Sequence, residues 1–427
     1  MELEQAEASA VGETAGVAPG RRVLPAWRPG DREFVALITF SHAVQHVYAA
    51  SLPLVYPYVV AQFHVSYALL GLVLGASGVV GGLLQGAAGL MERASARRLL
   101  VGQNLLLAGS TVAAGAAPGF ALFGAARCFG QVVASPQHPV GSAALSHRFP
   151  ERRATVLSWH VIGGSLGTIS VPLVASLVIA HWGWRASLFV FAVPMALGGL
   201  LLALRLREKV EGHAAAPTRA TADVPLRAAL LRRSTVLVLV SATLAAGGRG
   251  LGVLNAYVPS YLRSGLGLGT VMVGVIFTVL LLGSVVGPVV AGQVSDRLGR
   301  RKVVLAAYAL GAAAIAVFGV AGSHVPLLLV SGLLVGIFAY AESPLLQSVF
   351  SDAVQGTAQR AAFGIFFAVA YGFGSIWATV IGKVIDAAGF HAAFLVMAGS
   401  FVAAGAALLF AGDIDAVHIV AGGAADD

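Results

Sequence analysis

The chain is 58% hydrophobic and 11% charged, so its few ionisable residues inside long apolar runs are the ones placed to do chemistry. They are His42, His46, Arg127, His138, His160, Arg249 and Glu342. On insertion scales such a group costs about 2.5–3.5 kcal/mol at the middle of a membrane helix, so it needs a cavity or a partner. Glu342 is the one carboxylate well inside an apolar run, while Asp386 lies at the end of another. Glu342, Arg127 and His138 therefore form a candidate proton-coupling set. The opposing reading makes Glu342 one half of a fixed ion pair with a buried arginine. His42 and His46 are four apart and share a helix face, with Gln45 beside them. That spacing suits a metal, but no third ligand is near in sequence. The pair is therefore read as part of a polar cavity wall, together with His160, Arg249, Asn255 and Tyr257. No metal and no cofactor is expected. One acid against two arginines predicts a cationic cavity, and hence an anionic or zwitterionic small-molecule cargo.

The elements that position these residues are membrane helices. A mean hydropathy of +0.85 over 427 residues excludes a soluble globule. Apolar segments long enough to span fall at about 34–61, 67–90, 98–116, 119–144, 154–180, 186–206, 234–259, 269–294, 303–321, 325–349, 361–382 and 390–412. This is an all-α membrane protein with twelve transmembrane helices in two six-helix halves, 34–206 and 234–412. A charged linker with two prolines, 207–233, joins them. Residues 1–33 and 413–427 read as cytoplasmic tails, the first of them disordered. The net charge of +8 is spread over short loops, which argues against nucleic-acid binding. The single Cys128 excludes an internal disulfide.

Charge asymmetry sets the expected orientation. Arg185, Arg263 and Lys383 fall on one side, Arg127 and Arg249 inside spans, and the other 22 of the 27 Lys and Arg on the opposite side. The positive-inside rule puts that richer side, with both termini, in the cytoplasm of a cell whose inner membrane holds the chain. The most concentrated basic loop is Gly292 to Lys302, where one helix is expected to end near Ser295 and the next to begin near Val303. Gly299 suits the reversal because it tolerates positive φ. The loop at Leu90 to Arg98 is its degraded counterpart, and Ser343-Pro344 echoes Ser135-Pro136. Glycines in spans 2, 5 and 8 form stripes that let helices approach closely.

The order of residues in the basic loop resembles the loop motif of the major facilitator superfamily, G-x-L-a-D-r-x-G-r-k. Gly292, Asp296, Arg297, Gly299, Arg300 and Arg301 match it, and Val294 replaces the usual Leu. Arg127 to Ala134 resembles in part the superfamily's R-x-x-x-G-x-G motif on helix 4, whose arginine the resemblance links to proton transfer. Gly167 and Pro172 resemble the antiporter signature of helix 5, with Val171 in place of its second glycine. Gly183-Trp184-Arg185 with Phe189 looks like the junction before helix 6. Within the superfamily, His42 to Pro57, His138-Pro139 and Gly163 to Pro172 look most like fosmidomycin-resistance-type drug efflux proteins.

The resemblance implies a secondary transporter that works by alternating access around a midplane site. It implies proton-coupled efflux of a small molecule or drug, with the residues of the Gly292 loop as a gate. The alternative readings are a proton-coupled importer of a small organic anion and a non-transporting membrane sensor. The chain is expected to act as a monomer with protons, cargo and the lipid bilayer as its partners. No nucleophile–base arrangement supports an enzyme.

Overall fold

The computed structural model describes residues 27–86, 95–206 and 225–412, apart from 356 and 358. The regular elements among them are all helical. In order they are α1 (Asp31–Phe63), α2 (Tyr67–Gly86), α3 (Ala96–Ala116), α4 (Phe120–Ala134), α5 (Gln137–Arg148), α6 (Arg153–Arg205) and α7 (Leu226–Leu230). Then follow α8 (Arg233–Ala245), α9 (Asn255–Ser260), α10 (Thr270–Leu298), α11 (Arg300–Val320), α12 (Val325–Ala353), α13 (Gln359–Phe367) and α14 (Ile376–Leu409). The two expected tails up to residue 26 and from 413, the linker over 207–224 and most of the loop before Ser95 lie outside the described residues.

Among the described residues, eight helical stretches are by themselves long and apolar enough to cross a membrane. Two of them hold two spans each. α6 reverses at Gly183 (φ 82°) and α14 at Gly389 (φ 81°), a backbone region that a Cβ disfavours. α1, whose apolar run contains the polar residues His42, Gln45 and His46, and the pair α4–α5 supply the remaining two, which completes the twelve spans. The reversals also make the repeat visible, because spans 5 and 6 and spans 11 and 12 are joined in the same way.

Several helices depart from regularity where the sequence carries proline or paired glycines. Span 4 breaks at Ser135-Pro136, between α4 and α5. Its expected echo in span 10 does not break: α12 runs straight through Pro344. Span 7 unwinds after α8, where Gly247, Gly248 and an extended Arg249 (ψ 133°) separate it from Gly252 (φ 159°). Such unwinding leaves backbone carbonyls without helical partners, which is tolerable in a membrane only beside a cavity or a compensating donor. At the Gly292 loop, α10 continues past Ser295 to Leu298, and Gly299 alone (φ 91°) turns the chain into α11.

The helices end on two faces. The basic face carries Asp31, Arg148, Arg205, Arg300 and Asp352, and the far face carries the turns at 64–66, 117–119, 183 and 389. Three ion pairs on the basic face each join residues of one half: Asp31–Arg148 at 2.9 Å, Glu33–Arg205 at 2.7 Å and Arg300–Asp352 at 2.5 Å. The described hydrogen bonds between halves lie towards the far face. Tyr58 and Thr270 share a hydroxyl bond of 2.7 Å, and Thr379 Oγ1 donates to the Gly71 carbonyl at 3.1 Å. Asp386 accepts the first two amides of α2, Tyr67 N–H at 3.0 Å and Ala68 N–H at 2.8 Å. These hydrogen bonds clasp the halves at the far face.

Asp386 thus caps a helix of the other half, satisfying donors that α2 cannot pair internally. Asp386→Ala is expected to remove about 1 kcal/mol from the far-face clasp, the usual worth of such a cap. Spin labels on the 117–119 and 321–324 loops should report a longer, broader distance in the variant. An unchanged distribution would mean that the cap contributes nothing to closure.

Candidate functional site

A cavity of about 290 Å³ lies between the halves, bounded by α1, α2, α4, the unwound part of span 7 and span 11. Small and apolar residues share its walls with the polar groups Gln45, Tyr48, Tyr56, Arg127, Gln131, Arg249, Asn255, Tyr371 and Ser375. Four glycines of α2 pack against span 11 with no room for a side chain. At Gly75 a Cβ would lie 3.0 Å from Thr379 Oγ1, and at Gly82 it would lie 2.5 Å from the Gly372 nitrogen. Gly71 and Gly78 face the Ala378 carbonyl and the Ser375 side chain in the same way. The sequence read this stripe as packing, and here it forms the seam between halves.

Arg249 and Glu342 form a buried ion pair with two hydrogen bonds. Arg249 Nε donates to Glu342 Oε2 at 3.0 Å and Nη2 to Oε1 at 3.1 Å. Glu342 is 0% exposed and Arg249 4%. The remaining guanidinium donors reach backbone carbonyls at 2.8 Å, Ala242 on α8 and Ala370 on span 11. Tyr371 lies under the guanidinium, 4.7 Å from ring centre to Cζ. The unwinding at Gly247-Gly248 explains the arrangement: it puts Arg249 at an extended position from which it reaches carbonyls on two spans. Beside the pair, the Tyr371 hydroxyl bonds Ser343, and Tyr340 donates to Asn255 Oδ1 at 3.1 Å.

Arg127 has different company. Its Nε donates to the Tyr56 hydroxyl at 3.2 Å, and Nη1 donates to Gln131 Oε1 at 3.0 Å. Among the described residues no carboxylate pairs with it. Gln131 is one helical turn from Arg127, so the spacing could have identified it as a cavity neighbour. Tyr56 could not be so identified, since the contact joins α1 to α4.

The histidines of three helices converge next to this wall. His42 and His46 on α1 meet His138 at the start of α5, and the His160 ring stacks on His42 at 4.0 Å. Gly164 permits this, because a Cβ there would lie 2.6 Å from His42 Cε1 and 3.0 Å from His46 Cδ2. His42 Nδ1 contacts the His160 carbonyl at 2.7 Å and His46 Nδ1 contacts Thr168 Oγ1 at 2.8 Å. The third residue absent from the local sequence is His138, delivered by the break at Ser135-Pro136.

The other expected residues are distributed as follows. Gln45 and Asn255 line the cavity. Tyr257 is fully buried behind it and donates to the Ala378 carbonyl at 2.6 Å, a packing contact within the second half. His42 and His160 are also buried, and the histidine group lies beside the cavity rather than in its lining. On the basic face, Asp296 and Arg297 are exposed, Arg300 pairs with Asp352, and Arg301 donates to the Leu409 carbonyl at 2.8 Å. A Cβ at Gly292 would meet open space.

Twelve spans in two halves, clasped at one face around a polar midplane cavity, define a secondary transporter. A family model described as Major Facilitator Superfamily matches residues 38–280 and 250–420, and the chain belongs to that superfamily. It is 27% identical over 390 residues to the cis,cis-muconate transport protein of Acinetobacter baylyi, covering 84% of this chain and 87% of that one. It is 24% identical over 361 residues to the fosmidomycin resistance protein of Escherichia coli, covering 82% and 85%. The fold matches the crystal structure of the nucleoside transporter NupG with a TM-score of 0.75 at 16% identity, over 89% of this chain and 99% of that one.

Proposed function

We propose that this chain carries a small organic anion together with protons, and that Arg127 receives a carboxylate of the cargo. The supporting observation is that Arg127 lines the cavity with no acidic partner among the described residues. A guanidinium held between a tyrosine and a glutamine keeps donors for a planar acid. Similarity to a muconate carrier, whose cargo name denotes a dicarboxylate, agrees with this chemistry.

The second arginine supplies the coupling. While Glu342 is ionised, it neutralises Arg249. A proton on Glu342 weakens that pair and frees a second guanidinium at the cavity wall. Anion and proton then favour each other's binding, which is the condition for symport. With the basic face in the cytoplasm of the inner membrane, as the charge asymmetry expects, the far-face clasp makes this the inward-open state. Import down the proton gradient follows. Each proton entering contributes about 2.3 kcal/mol per 100 mV if it moves as net charge.

Efflux is the second reading, and it rests on the similarity to a fosmidomycin resistance protein. Proteoliposomes separate the two. With an acidic exterior and cis,cis-muconate as probe, symport accumulates the anion inside, whichever way the protein is inserted. Antiport expels it, and no flux would remove the transporter reading for this cargo. Arg127→Ala is expected to weaken binding of the dicarboxylate by a factor of about 10–100, the equivalent of about 1.5–3 kcal/mol for a charge-assisted hydrogen bond. Arg127→Lys should recover part of this loss. Equal affinity of wild type and Arg127→Ala would sink the carboxylate assignment.

A further inference from the structure

We infer that His42, His46 and His138 form a binding site for a late first-row divalent ion, zinc in the simplest case. His42 Nδ1 lies 2.7 Å from a carbonyl, which only accepts, so that nitrogen carries the hydrogen. The Thr168 hydroxyl donates to the Gly164 carbonyl at 3.1 Å, so at 2.8 Å it accepts from His46 Nδ1. Both neutral rings then present an Nε2 lone pair, and those two nitrogens are 3.1 Å apart. Two lone pairs at that distance repel unless a cation lies between or beside them.

The geometry suits a metal ion. Two nitrogens each about 2.0–2.1 Å from a tetrahedral zinc sit about 3.3 Å apart. One ring nitrogen of His138 completes a set whose ligand atoms all lie within 4.8 Å of one another. Metal-bound imidazoles nearly always donate their other ring N–H to an oxygen, and His42 and His46 both do so. An all-nitrogen set selects zinc, nickel, cobalt or copper over magnesium and calcium, which take oxygen. A polar environment adjoins the set: both His160 ring nitrogens are buried without partners, next to the His42 face on which that ring stacks.

The ion also has a route in. His46 lies three and seven residues before Ala49 and Pro53 on α1, and both of those line the cavity. Helical spacing of three and seven keeps His46 on the same face of α1 as these two residues. His138 is exposed and His46 partly so. A bound ion would tie α1 to α5 at the level where span 4 is broken, leaving its remaining coordination to water.

The test uses the purified full-length protein, stripped with chelator and titrated with zinc chloride by calorimetry, with cobalt(II) as an optical probe. One ion per chain and an intense cobalt spectrum of four-coordinate type are expected. His138→Ala should weaken zinc binding at least 100-fold, and Thr168→Val, which removes the oxygen that orients His46, about 10-fold. His181→Ala, at an exposed far-face histidine, should change nothing. If His46→Ala fails to fold, His138→Ala carries the test, since that side chain is exposed. Equal zinc affinity in wild type and His138→Ala, with cobalt remaining six-coordinate, would overturn the site and leave a proton shared between the two Nε2 atoms.

Discussion

Glu342→Gln is expected to destabilise the protein by about 3–5 kcal/mol, because it leaves the Arg249 charge buried without a counter-charge. In the wild type the Arg249 guanidinium is held by two hydrogen bonds to Glu342, two carbonyls and the Tyr371 ring. The carbonyls and the ring remain in the variant, so the loss should fall at the lower end of that range. Thermal unfolding of the detergent-purified protein measures it. The double variant Arg249→Met with Glu342→Leu should regain most of the stability, since removing both charges also removes their desolvation cost. It should not regain transport.

A further readout separates a structural pair from a coupling device. If Glu342 carries the proton, the Gln variant resembles the protonated state, with Arg249 freed to meet an anion. Bound dicarboxylate should then raise the melting temperature of Glu342→Gln more than that of wild type, while accumulation driven by a pH gradient disappears. If accumulation persists unchanged, Glu342 is not the proton carrier, and the pair is a packing element only.

The second large effect is expected at the α2 seam. Gly71→Val would push a branched side chain into the Ala378 carbonyl and within 2.7 Å of the Tyr257 hydroxyl. Both belong to the other half, so the halves cannot close at the far face without shifting. Overpacking of this kind costs about 1–3 kcal/mol, and here the cost falls on one state only. The far-face-closed population should fall by a factor of about 10–100, and transport with it. Gly109→Val on α3 is the comparison, since a Cβ at Gly109 meets nothing within 4 Å. In a Cys128→Ser background, a cysteine at Ser375, near the seam, should gain reactivity toward a membrane-impermeant thiol reagent added at the far face. If Gly71→Val and Gly109→Val transport equally well, the seam does not govern closure.

The large features of this fold are local properties of the chain. A span needs about twenty apolar residues wherever it packs, so twelve of them could be counted. Glycine suits a reversal whatever its neighbours, so Gly299 was readable as a turn, and the loop around it pointed to the superfamily. The reversals at Gly183 and Gly389 were legible only as short gaps between apolar runs. The unwinding of span 7 was less so: Gly247 and Gly248 are two of 53 glycines, and most of the others sit quietly in helices.

Partners are the opposite kind of property. Seven ionisable residues inside apolar runs could be named from the sequence, because the membrane makes each one expensive. Which of them meet depends on how helices from distant parts of the chain pack. Glu342 could have been a free acid or a fixed partner, and it is the 93-residue separation closed by spans 7 and 10 that gives it to Arg249. That closure leaves Arg127 without an acid among the described residues. The break at Ser135-Pro136 brings His138 to His42 and His46, and turns a pair with no third ligand into a group of three. Apolar length and charge type act through the solvent and can be read along the chain. A short-range contact of about 3 Å acts through geometry, and it exists only once the helices are packed.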